Sequence, residues 1–491
     1  MKNKIFLWLL CALTIVSAGC SKSAFLDINT DPNNPVDVPP VVLLPSTTIT
    51  LAFANSNELM RVASLLVQHN AGVANQMTGF DVYQLDGSFD NSWNFEVYAG
   101  ALPAIQALIA KTDTTGLGPH YAGIGKIQKA YLLSRATDIW GDVPYSQSGQ
   151  GLAFPAPRFD KQEDIYQGNA SLGIQSLFDL VKSGIADLKK TTPAGGFEPG
   201  ADDLVYGGDP DSWIKVGNTL LLKLAITISN SNPTLSKSII SDVIADGNYI
   251  TSNAEDFDVP FGTDVGSQSP IYSYNVVNRP TDLMLSSRFL ALMNSLHAQT
   301  YLGKLYTSPG GTFTGFENGA NLTPPAAATR SKYNTYVTGP TSNATYVRLL
   351  SNTDRAFILA ESALIFGTPG DPNALFQEGI QQAMAKAGVS GTDITAYFTA
   401  NPTIVTLTGS TEAKRKQIIT WKYIANVVNP LEAYNDYRRT GYPDLQVALN
   451  ASGDDPSVIP KRYTYPPNET SANPNTPKPR PLTNQKVWWG K

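Results

Sequence analysis

Apolar residues return every three or four positions through most of this chain, and each such run is cut by Gly, Pro or Asn. That spacing places one greasy stripe on each of many short helices, which can be buried only against other helices. In DPDSWIKVGNTLLLKLAITISN, Trp213, Val216, Leu220, Leu224 and Ile228 share one side of a helix. Leu51, Ala54, Leu59, Val62, Leu66 and Val73 predict helix over 43–80, and the pattern returns from Leu102 to Ala110 and from Tyr121 to Trp140. Gly141 and Pro144 end the last of these. A stripe of Ile165, Leu172, Leu177, Leu180, Ile185 and Leu188 predicts one further long segment, and another is expected from Leu283 to Leu302. TDRAFILAESALIFG and NALFQEGIQQAMAKAGV, joined by Gly, Pro and Asp, have about the period of a tetratricopeptide helix-turn-helix. Ala360, Ala363, Ala383 and Ala387 are small enough to let the two helices approach. Strict tetratricopeptide signatures are absent. The expected fold is therefore mostly α: a degenerate tetratricopeptide-like scaffold of helical pairs with long ligand-binding loops and little β-structure.

The amino terminus carries a different signal. MKNKIFLWLLCALTIVSAGC sets Lys2 and Lys4 before an uncharged run from Ile5 to Val16, too short to span a bilayer comfortably, and then small residues up to Cys20. Residues 1–19 resemble a lipoprotein signal peptide, after which Cys20 is acylated, although Ser17 stands where lipoproteins usually carry Leu. An ordinary cleaved secretory signal is the alternative. With residues 1–19 removed, loss of Lys2 and Lys4 takes the net charge from −5 to −7, which argues against a nucleic-acid partner and suits a neutral ligand. The only cysteines are Cys11, in the leader, and Cys20. No thiol then remains for a disulfide, a zinc cluster or a nucleophile. Residues 20–42, rich in Pro and Asn, read as a tether onto one helical domain ending at Lys491. Asp27, Asn29, Asp31 and Asn33 alternate like calcium ligands, but Pro32 stands where such a loop needs Gly, and a capped turn is the plainer reading.

Between 80 and 98, Phe80, Tyr83, Phe89, Trp93, Phe95 and Tyr98 are interleaved with Asp81, Asp86, Asp90, Asn91 and Asn94. A sugar offers C–H patches on its faces and hydroxyls around its rim, so recognising one needs flat apolar groups beside fixed hydrogen-bonding groups. The same aromatics would equally pin a loop to the core. A second aromatic-rich region, 255–350, holds Tyr272, Tyr274, Arg279, Phe313, Phe316, Tyr333 and Tyr336 in long polar stretches. Catalysis would need working carboxylates, and Glu361, Glu432, Asp436 and the acidic loop residues are the candidates for a helical glycoside hydrolase. Glu361 lies in a helix stripe, where an ion pair with an Arg such as Arg355 or Arg438 is the ordinary role, and Glu432 and Asp436 suit pairs that fix the scaffold. His69, His120 and His297 lack the spacing of metal ligands, and no phosphate loop, serine elbow or histidine triad can be assembled. The chain is thus read as a non-enzyme without metal or cofactor; a helical-repeat adaptor for another protein is a further alternative.

Several motifs carry a family likeness. LVYGGDPDSWIKVGNTLLLKLAITISN with DGNYITSNAEDF, YLLSRATDIWGDVPYSQ, FLDINTDPNNP, the helix closing at Arg438 to Pro443, and the tail ending KVWWGK together resemble SusD/RagB outer-membrane nutrient-binding lipoproteins. The likeness runs from Phe25 to Lys491. It implies a lipid-anchored protein of the outer membrane, facing outward, that captures oligosaccharide or peptide. It also implies a TonB-dependent, SusC-like transporter barrel as partner, with this chain as its hinged lid. By position in the family, Tyr83, Asn91, Trp93, Tyr272 and Tyr274 would meet the ligand. Outward export rests on the family alone, because Ser21, Lys22 and Ser23 replace the acidic residues often found after the cysteine.

Overall fold

A computed structural model describes residues 38–339 and 345–491; the leader, Cys20 and the candidate calcium turn lie outside them. The fold is α-helical, with three short two-stranded ladders among the described residues. Pro40–Ser56 is the first helix among the described residues, α1, so helix begins inside the stretch 20–42 that the sequence reads as a tether. Residues 43–80 are not one helix: Asn57 (φ −91°, ψ −124°) breaks α1 from α2, Glu58–Leu66. A strand β1, Asn70–Gly72, and a short helix, Gln76–Asp81, follow.

The body is built of helical pairs. Helix α3 (Leu102–Asp113) packs on α4 (Pro119–Trp140), and α4 on α5 (Leu177–Leu188). Helix α6 (Pro210–Thr227) packs on α5 and on α7 (Pro233–Asp246). Helix α8 (Asn352–Phe366) pairs with α9 (Pro372–Lys386), and α10 (Thr411–Ala425) with α11 (Pro430–Thr440). Local chemistry sets many of these boundaries. Asp209, Asn232 and Asp371 each accept a backbone N–H from the first turn while the next residue is Pro, whose missing N–H leaves nothing unsatisfied there. The predicted helix-turn-helix of 353–389 is thus present, with all four alanines buried. Gly379 also lies under the ring of Phe357, where a Cβ would stand 2.7 Å from it.

Two further expected helices are broken. Gly168 (φ +82°) stops Gln162–Gln167, leaving Leu172 exposed, and the stripe resumes only in α5. Residues 283–302 begin as strand and continue as two short helices, Ser287–Ser295 and Gln299–Leu305, hinged where His297 takes φ +52°. Naming the other strands in order, β2 is Val143–Pro144, β3 Phe159–Asp160, β4 Phe257–Phe261, β5 Leu283–Leu285 and β6 Thr345–Leu350. Antiparallel pairing of β1 with β5 sets Asn70 opposite Leu285, and β4 pairs with β6. These two ladders hold the middle of the chain against α1 and α2.

A charge network runs through the scaffold. Glu361 on α8 accepts both terminal nitrogens of Arg439 (2.6 and 2.8 Å) and Nε of Arg415 (2.9 Å). Its partners are therefore not Arg355, which pairs with Glu378, nor Arg438, which donates to the Asp138 carbonyl (2.6 Å). Asp436 pairs with Lys422 (2.8 Å) and Arg439 (2.7 Å), and Glu432 with Arg135. The carboxyl-terminal motif closes the molecule: buried Trp489 donates to Asp138 (3.0 Å) and packs under the Arg438 guanidinium (4.7 Å).

Candidate ligand-binding groove

Both segments singled out by their aromatics contain π-helix, the wider coil that is enriched at functional sites. The first, Asn91–Ala101, was expected to be a loop. It packs on α1, and its residues divide by a spacing of four: Trp93, Val97 and Ala101 point inward while Asn91, Phe95 and Ala99 are exposed. The second, Ser273–Asn278, follows a single turn, Pro270–Tyr272, capped by Ser269.

This geometry buries two of the candidate site residues. Trp93 is 1% exposed, packed against Trp140, Tyr98, Phe159 and Tyr465, with its Nε1 donating to Glu469 (3.2 Å). Tyr83 is buried with φ +71°, and its hydroxyl accepts the Ala448 N–H (2.8 Å). Trp93 pins its segment to the core, while Tyr83, 3% exposed, borders a pocket of about 240 Å³ with Gln84, Asp86 and Asp454. Asn91 is exposed on the outer side of the first π-helix, and Tyr272 is half-buried at the start of the second. The periodicity that betrays Trp93 as a core residue also marks Phe95, 73% exposed, which sequence reasoning did not select.

Tyr274 lines an open groove of about 500 Å³ between the α1–α2 junction and residues 265–278. Phe53 from α1 supplies a second ring and is itself held by Phe261 of β4 at 5.8 Å between centroids. Asn57, Gln268, Ser273 and Asn278 contribute amides and a hydroxyl, and Val265, Pro270 and Val277 add apolar surface. No charged side chain is among its lining residues. Rings beside neutral donors and acceptors suit a neutral polar molecule with apolar patches.

Behind the groove the polar groups are tied in sequence. Arg61 on α2 lies over the Tyr274 ring (4.1 Å) and donates to Asn57 Oδ1 (2.5 Å). Asn57 Nδ2 donates to Glu96 on the first π-helix. Tyr274 donates its hydroxyl proton to Asp282 (3.0 Å), which also accepts from Asn75 (2.7 Å). The β1–β5 ladder brings Asn75 and Asp282 together, so pairing of strands more than two hundred residues apart orients the groove's tyrosine. Burial pushes the Tyr274 hydroxyl well above its ordinary pKa, with Asp282 adding to it, so the ring stays neutral. Burial likewise raises Glu96 to about 7, against the pull of Asn57 and Arg61.

The carboxylates considered for hydrolysis lie elsewhere. Desolvation would raise Glu361, yet Arg439 and Arg415 outweigh it and hold it at about 2; Arg135 and Lys223 do the same for Glu432. Both are consumed in fully buried ion pairs.

Fold and groove together define an α-helical protein of paired helices, with an aromatic and amide-lined cleft facing solvent at one junction. The family described as starch-binding and associating with the outer membrane, SusD-like, matches residues 32–466, and the chain belongs to it. Solved structures agree in fold: a chitin-binding SusD homologue from Flavobacterium johnsoniae superposes with a TM-score of 0.75 at 21% identity, covering 92% of this chain and 98% of that one. A SusD-like protein from Bacteroides thetaiotaomicron gives 0.75 at 19%, covering 92% and 99%. A SusD homologue from Bacteroides uniformis gives 0.72 at 22%, covering 91% and 99%. No curated protein matches the chain.

Proposed function

We propose that this chain is a lipid-anchored nutrient-binding protein that captures a neutral oligosaccharide in the Tyr274 groove and hands it to a TonB-dependent outer-membrane transporter. The observation that carries the reading is the groove itself: two rings, Tyr274 and Phe53, flanked by amides and a hydroxyl and free of charged lining. A sugar stacks its C–H face on such rings and spends its hydroxyls on such amides. Phe95, exposed one residue from Glu96 and hence near Asn57, offers an outer platform for a longer chain. Asn91, exposed, and Tyr272, half-buried, remain candidates, though neither lines the groove.

Family membership and the chitin binding of the Flavobacterium homologue support a glycan over a peptide. No helix among the described residues is long and apolar enough to cross a membrane, so anchoring falls to the acyl chains expected on Cys20. Binding beside a transporter keeps a released ligand at high effective concentration over the pore, which makes modest affinity sufficient. The pairing of Glu361, Glu432 and Asp436 within the scaffold favours binding over hydrolysis.

Calorimetry with chitohexaose, maltohexaose, a sialylated oligosaccharide and a peptide tests the reading. A neutral sugar should bind, and Tyr274→Ala should weaken it by about tenfold or more, equivalent to about 1.4 kcal/mol. Preferential binding of the charged sugar or the peptide, or release of shortened products, would refute it. Co-purification of a barrel from detergent-solubilised outer membranes, lost when Cys20→Ala abolishes acylation, tests the anchored complex.

A further inference from the structure

The groove's two polar ends belong to one buried chain of contacts. Asn57 lines the groove but spends its amide nitrogen on Glu96 and its carbonyl oxygen on Arg61 (2.5 Å). Arg61 in turn lies over the Tyr274 ring and lines, with Met60, Ser64, Ile271 and Tyr333, a small cavity that Tyr274 shares, while Tyr274 also borders the groove. Two atoms in this chain are buried without a partner, Glu96 Oε2 and Arg61 Nε. Glu96 thus holds Asn57 through one oxygen only, and its charge bears on both Asn57 and Arg61.

We propose that Glu96 is a positioning residue for the groove: through Asn57 and Arg61 it sets how the Asn57 amide and the Tyr274 ring are presented to the ligand. The inference rests on the Tyr274 groove being the ligand site, but the relay itself is a property of the empty protein.

The ionised carboxylate holds Asn57 by a charge-assisted hydrogen bond and attracts Arg61; the neutral acid does both more weakly. Burial places that change at about pH 7. The other groups facing Glu96 are Glu58 and Arg61 from α2, with Ser92 from its own π-helix; Ser92 also donates to Glu58 (3.0 Å), and Asp90 stands near Glu58. Glu58 is raised by burial as well, so it must be separated from Glu96 experimentally.

The test has a ligand-free and a ligand-bound arm. In the empty protein, with tyrosine ring carbons labelled and the Tyr274 resonance assigned from its loss in Tyr274→Phe, that resonance should move with a midpoint near pH 7. Glu96→Gln, which keeps the shape, should abolish the movement, and Glu58→Gln should keep it. In the bound arm, affinity for chitohexaose or maltohexaose should fall about fivefold from roughly pH 8 to pH 6 in the native protein and stay level in Glu96→Gln. A Tyr274 resonance indifferent to pH, or one that titrates unchanged in Glu96→Gln, overturns the relay. A titrating resonance with no neutral sugar bound supports the relay and overturns the ligand reading instead.

Discussion

Trp93 and Phe95 stand two positions apart on one π-helix, and the wall between core and solvent runs between them. Trp93→Ala would empty a site packed by four rings and strand Glu469, so it should lower unfolding free energy by about 3–5 kcal/mol in urea titrations. Phe95→Ala removes an exposed ring and should leave stability within about 0.5 kcal/mol while weakening oligosaccharide binding in calorimetry. A loss of binding from Trp93→Ala at unchanged stability would contradict this assignment. The sequence discloses the aromatic composition of 80–98, and a spacing of four aligns Trp93 with Val97 and Ala101, but that face can be read only once the segment is known to be a coil and not a loop. Tyr274 was legible as a candidate, whereas Phe53 and Asn57 were not, since they read as ordinary positions in a long helix until the break at Asn57 turns them toward the groove.

Among elements, the helical pairs were the readable part, because their signals are local: an Asx or Ser cap, a Pro behind it, a stripe of period three or four. How closely a pair packs is less visible. At the α4–α5 crossing Gly123 and Gly184 face each other, and a Cβ on Gly184 would lie 2.9 Å from the Gly123 carbonyl oxygen, a backbone atom that cannot swing away. Gly184→Val should therefore force the pair apart and lower stability by about 2 kcal/mol or more, read as a lowered melting temperature. Gly391→Ala, at a helix start with open space around its Cβ position, is the control and should have little effect. The hinges at Gly168 and His297 were harder to anticipate, because a stripe with one break in it still scores as a helix, and the β1–β5 ladder that interrupts 283–302 is a long-range pairing with no local signature.

At the scale of the whole molecule, the scaffold's charge network makes stability a function of pH, and the signs can be worked out. Desolvation alone would raise Glu361 and Glu432, but their arginine and lysine partners hold both at about 2, below the ordinary 4.5. The unfolded chain then takes up protons that the folded one refuses, so the stability these pairs give is complete above pH 4.5 and is lost as pH falls toward 2. His69, buried between Phe289 and Tyr423, is lowered to about 3 by desolvation, so its contribution also drains away from pH 6.5 down to 3. Asp81 and Glu96 act in the opposite sense: burial raises both to about 7, so their native sites hold protons that the unfolded chain has released, and acidification from 7 toward 4.5 favours the fold. Melting temperature should therefore rise somewhat between pH 7 and 4.5, where the two raised carboxyls outweigh His69, and drop steeply below about 3.8, where Glu361, Glu432 and His69 all pull the same way. Calorimetric melting across that range checks it. Glu361→Gln should lower stability at neutral pH by about 3–5 kcal/mol, because Arg439 is left buried beside a neutral amide. The same variant should soften the acid drop, since one of the carboxylates responsible for it is gone. A steep acid limb unchanged in Glu361→Gln would place the acid sensitivity outside this network.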